Sequence, residues 1–178
     1  QSGQSVVVKV DTVDAATAPL VVDLRIRNQS ARKGIHRRAT LVRLATEVCR
    51  GEGVSGRVEL SLLFCDDPFI AELNHRFRGS DEPTDVLAFP QAEGGLGRSG
   101  LLGDVVISLE TVERRRHGDP AQMREETRLL FCHGLLHLLG FDHGTARERE
   151  GMVLRQARYL GVAPETAWIG EGPRRKPH

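Results

Sequence analysis

The chain has 178 residues, and because a domain usually takes roughly 100–200, one domain with at most a short appendage is expected. Hydrophobic residues make up 39%, aromatic residues 4% and charged residues 28%, with no apolar run near the ~18–20 residues of a spanning helix, which excludes an α-helical membrane protein. The net charge of +1 hides a partition: residues 1–50 carry nine basic and four acidic groups, 51–144 nine and sixteen, and 145–178 seven and four, so basic ends flank an acidic middle, a pattern of an ordinary mixed solvated surface or of a polyanion held at the margins of a site.

In chain order, the β-branched runs Val6–Val10 and Val21–Ile26 predict strands. From about His36, Leu41, Leu44, Ala45 and Val48 fall at i, i+3, i+4 and i+7, predicting an amphipathic helix that stops at Gly51 or Gly53, with Arg37, Arg38 and Arg43 outside. Val58–Cys65 suits a buried strand, and Asp66 or Asp67 before Pro68 starts a helix over Phe69–Arg78. Thr84–Phe89 predicts a strand closed by Pro90, and Gln91–Gly103, with five glycines, predicts a loop. Asp104–Leu109 predicts a strand and Glu110–Arg116 a short helix. A long helix from Pro120 to Leu139 and a last one over Ala146–Leu160 follow. This order predicts one α+β domain, a mixed four- or five-stranded sheet packed against helices, over residues 21–161. Residues 1–20 are then an N-terminal extension and 162–178 a basic, flexible tail.

Cys49, Cys65 and Cys132 are odd in number and widely spaced with no CxxC pair, which suits a reducing compartment, so a cytoplasmic location is expected. Gln1-Ser2-Gly3-Gln4 in place of an initiating Met leaves room for a removed segment, and no signal-peptide pattern follows it.

The chemistry concentrates in His133-Gly134-Leu135-Leu136-His137-Leu138-Leu139-Gly140-Phe141-Asp142-His143. Positions i and i+4 share a helix face, so His133 and His137 point at one centre. Gly140 is placed to end the helix in a left-handed cap and let His143 return to the same centre. Three imidazoles with a fourth position left for water are the pattern of a catalytic zinc site, which predicts Zn2+ on His133, His137 and His143. Burying three histidines among Leu135, Leu136, Leu138 and Leu139 without a metal would demand three separate hydrogen-bond solutions. Cys132, about 100° around the helix, is expected in the core.

The His-x3-His-x5-His spacing is shared with metzincin proteases, but those carry a Glu base directly after the first His, where this chain has Gly134. A base would have to come from Asp142, Asp104 or Asp85. Asp142 is a candidate to orient a ligand histidine or to cap the helix, and Asp104 and Asp85 to support the site or only the fold. His36, His75 and His117 have no partner at ligand spacing and are expected in solvent.

These residues resemble the YbeY family of metal-dependent endoribonucleases of ribosomal RNA maturation. The resemblance rests on the His133–His143 segment, on Leu73-Asn74-His75-Arg76-Phe77-Arg78-Gly79 leading into Pro83-Thr84-Asp85-Val86-Leu87-Ala88-Phe89-Pro90, and on Leu102-Gly103-Asp104-Val105-Val106-Ile107. It covers about Val21 to Gly161. It implies zinc on the three histidines, Arg78 and His133 as catalytic residues, single-stranded ribosomal RNA as substrate, and contact with the small ribosomal subunit and its proteins. Ala88 stands where the family often has Ser, and Arg155, Gln156 and Arg158 where acidic residues are frequent, departures that bear on surface contacts. An Arg78 guanidinium is a planar fork suited to phosphate oxygens. The alternatives are another zinc metallohydrolase, peptidase-like but without the Glu base, and a ribosome-associated protein in which zinc only staples the fold. With no aromatic stacking platform evident, RNA binding is expected to rest on backbone charge and shape, with Arg37, Arg38 and Arg43 as the leading contacts.

Overall fold

Alternation of apolar residues along two central strands decides the architecture. The structure, a computed structural model, describes residues 18–91 and 100–167. Within them the chain runs β1 (Val21–Asn28), α1 (Arg38–Gly51), β2 (Arg57–Cys65), α2 (Asp67–Arg78), β3 (Val86–Pro90), β4 (Leu101–Ser108), α3 (Leu109–Arg115), α4 (Pro120–Leu138), α5 (Ala146–Leu160) and a 3-10 turn at Pro164–Thr166. The strands form one mixed sheet in the order β1-β2-β4-β3, parallel between β1, β2 and β4 and antiparallel between β4 and β3. This is a single α+β domain with four strands. The expected strand at Val6–Val10 and most of the expected basic tail lie outside the described residues.

Leu60, Leu62 and Phe64 of β2 and Val105 and Ile107 of β4 join the large core with α1, α4 and α5, while Cys65 and Val106 point to a smaller core with Ile70 of α2 and Leu87. Helices therefore cover both faces, and α4 lies on the side of the main core. The closeness of α4 to the sheet depends on Gly134. A Cβ there would sit 2.7 Å from Cγ1 and 3.0 Å from Cγ2 of Val105. No described helix is long and apolar enough to cross a membrane.

One element differs from expectation. β4 begins at Leu101, inside the stretch read as loop, because Leu101 pairs with Glu59 and Gly103 with Leu60, leaving Leu102 as a bulge whose side chain is buried. Gly103 has φ 132, and a Cβ on it would collide with the Phe89 carbonyl of the neighbouring strand. At this point glycine serves close strand approach.

Candidate metal centre

α4 begins with Pro120 at its first turn and Asp119 as its cap, whose side chain accepts from the Gln122 N–H at 3.0 Å. It ends as the sequence predicts. The Gly140 N–H donates to the His137 carbonyl at 3.0 Å and the Phe141 N–H to the Leu136 carbonyl at 3.0 Å, with Gly140 at φ 99. This stop turns the chain within one residue and delivers His143 to the side of His133 and His137. Asp142 holds that turn locally, its Oδ1 accepting from the His143 backbone N–H at 2.7 Å.

The three rings converge. His133 Nε2 and His137 Nε2 are 3.1 Å apart, as are His137 Nε2 and His143 Nδ1, and the potential ligand atoms of the three residues all lie within 4.8 Å of one another. Three nitrogens at ~2.0–2.1 Å from a tetrahedral zinc stand roughly 3.3–3.4 Å apart, close to the two 3.1 Å separations around His137. Burial lowers the pKa of His133, and for His137 burial together with its two histidine neighbours pushes it down to about 4. Both rings are thus neutral near pH 7, the form that offers a lone pair.

Gln156 fixes the tautomer. This α5 residue is fully buried, its Nε2 donates to the Ala167 carbonyl, and its Oε1 accepts from His133 Nδ1 at 2.8 Å. With the proton on Nδ1, Nε2 of His133 faces the cluster bare. The sequence places Gln156 among surface departures, whereas the structure puts it behind the first histidine. The available signal was its position four residues after Met152, on the buried face of α5.

Arg78 ends α2 and is exposed, with Gly79 turning the chain at φ 69. Its charge is felt by both His133 and His137, which places the guanidinium within electrostatic reach of the cluster. Asp85 also reaches His133 electrostatically, but its carboxylate accepts from the Val86 N–H at 2.8 Å and from Arg115 at 3.1 Å. Asp104 accepts from the Ser61 hydroxyl instead of a ring nitrogen. Asp142 is exposed, and it caps no helix. Cys132 is buried in the core, as expected, its thiol pushed up to about 12 by burial.

His75, whose Nδ1 lies 2.5 Å from Asp81 Oδ1, and His117 are exposed as expected, whereas His36 is not. His36 is half-buried with its ring on Phe64, centroids 4.4 Å apart, and His117 occupies a left-handed turn at φ 52. Arg38 is exposed, as expected, and donates to the Leu24 carbonyl at 2.9 Å.

The chain matches the family described as endoribonuclease YbeY over residues 25–162. A protein named endoribonuclease YbeY from Pelotomaculum thermopropionicum is 43% identical over 125 residues, covering 68% of this chain and 82% of the relative. One of the same name from Moorella thermoacetica is 41% identical over 130 residues, covering 68% and 83%. The solution structure of a Thermotoga maritima protein resembles this fold with a TM-score of 0.53 at 26% identity, covering 86% of this chain and 99% of that one. With its family match running from within β1 through Arg78 and all three histidines, this chain belongs to the YbeY family.

Proposed function

We propose that the chain is a zinc-dependent endoribonuclease that cuts single-stranded regions of ribosomal RNA during ribosome maturation in the cytoplasm. The observation that carries this is the three-histidine cluster, with His133 and His137 held neutral by burial and an exposed arginine within electrostatic reach, in a chain of this family. Bound by His133, His137 and His143, zinc would supply Lewis acidity toward a phosphoryl oxygen and make a coordinated water more acidic. Gln156 holds His133 in the ligating tautomer. Arg78 offers paired N–H donors to the phosphate oxygens as charge builds on them. We place residues 21–161 as the catalytic domain, with 1–20 and 162–178 as appendages.

A peptidase reading meets a physical obstacle. A Glu at position 134, where metzincins keep their base, would drive its Cβ into Val105 and lift α4 from the sheet. Metal analysis followed by parallel digestion of RNA and casein separates the readings. Zinc with RNA cleavage and intact casein is expected, casein cleavage would favour a peptidase, and zinc with neither activity would favour a structural staple.

Replacing Gln156 with Leu should weaken zinc binding by about 10–100-fold in competition with a chromophoric chelator, because the His133 Nδ1–H is then buried without an acceptor. Unchanged affinity would show that Gln156 only packs.

The lowered histidine pKa values also carry a sign for stability. Between about pH 6.5 and 4 the unfolded chain binds a proton at His137 that the folded metal-free chain refuses, and the lowered pKa of His133 acts in the same direction. Metal-free protein should therefore lose stability as pH falls through that window and gain nothing from these groups above it. Urea midpoints at pH 7.5 and 5 check this, the drop being smaller in His137→Gln than in the unsubstituted chain.

A further inference from the structure

Between the start of α1 and the first half of α4 lies a cavity of about 430 Å³, lined by His36, Arg37, Thr40, Arg124, Arg128 and Glu125 with apolar residues between them. Three guanidiniums against one carboxylate make it cationic. Nδ1 of His36 and Nε of Arg128 are buried without a hydrogen-bond partner, and they are the only such side-chain atoms among the described residues. Both residues line the cavity, and a polar atom buried without a partner costs stability.

The helix geometry points the same way. α1 starts on Arg37 with no side-chain cap and no acidic residue in its first turn, the reverse of what the positive end of a helix favours. Arg124 and Arg128 stand four apart on α4, the spacing at which like charges repel. The His36 ring is fixed on the cavity wall by Phe64. A negative group in the cavity would offset the clustered guanidinium charge and the uncapped start of α1.

We propose that this cavity binds a phosphoryl group, and that its source is a backbone phosphate of the RNA strand cut at the histidines. The assignment to RNA rests on the function proposed above; the anion site does not. Arg128 precedes His133 by five residues and Arg124 by nine, about 7.5 and 13.5 Å along α4 and roughly 140° and 180° around it, so the cavity is separate from the metal centre and a strand that touches both passes around the helix.

Metal-free full-length protein, titrated with inorganic phosphate and with a short single-stranded RNA, tests this through the amide shifts of residues 38–41 and the salt dependence of RNA binding. Saturable shifts with phosphate are expected, lost in R124Q/R128Q, together with a log–log salt slope for RNA lower by about 0.7 for each lost phosphate contact and zinc uptake unchanged. R124Q alone alters an exposed side chain and guards against misfolding of the double variant; it should give an intermediate loss. Amides unmoved by either ligand would overturn the site. Phosphate shifts with a wild-type RNA slope in both variants would keep the anion site and overturn its assignment to RNA. If phosphate binds but the unsubstituted, zinc-loaded protein cuts no RNA, the nuclease reading fails while the cavity stands; if RNA is cut and the cavity is silent, the reverse holds.

Discussion

His137→Ala should purify with almost no zinc, against about one zinc per chain for the unsubstituted protein, and should cut no RNA. His137 Nε2 lies at 3.1 Å from a nitrogen of each of the other two rings, so it is the shared vertex of the cluster. Its removal leaves two imidazoles, too few for tight tetrahedral zinc. Stability should fall as well. With free zinc at 100 times its dissociation constant, binding to the folded state alone stabilises by about 2.7 kcal/mol, and the variant loses that increment. Elemental analysis and melting with and without added zinc check both parts, and equal metal content in the two proteins would refute the ligand set.

Arg78→Ala should separate binding from chemistry. The side chain is exposed and ends its helix, so truncation should leave the fold and zinc content intact. If the guanidinium meets phosphate oxygens as charge develops, its loss should cost about 2.7–4 kcal/mol in the transition state, or about 10²–10³ in the rate of RNA cleavage. Arg78→Lys should recover only part of this, since an ammonium lacks the planar fork. Single-turnover cleavage at saturating enzyme measures it, and a near-normal rate in the alanine variant would remove Arg78 from the reaction.

The sequence made the metal centre legible because its determinants are local. His133 and His137 share a face by helical period, and Gly140 announces the left-handed stop that returns His143. The helix caps at Asp119 and Thr145 and the buried alternation of β2 are equally local signals. Gln156 was not legible in the same way, because its two partners, His133 and Ala167, are 23 and 11 residues away and glutamine is ordinarily a surface residue. His36 was misread for the same reason, its partner Phe64 lying on a strand beyond α1. The start of β4 at Leu101 was hidden because Gly103 reads as slack in one dimension and as close strand approach in three. The position of β4 between β2 and β3 is a long-range property that no local pattern encodes.

The most direct test of a zinc-dependent nuclease is a titration of metal-free protein with zinc while single-stranded RNA cleavage is recorded. Cleavage should be absent at first, rise in proportion to added zinc and level off at about one equivalent per chain, with magnesium giving no comparable rise. Cleavage already present without metal and indifferent to added zinc would contradict the account.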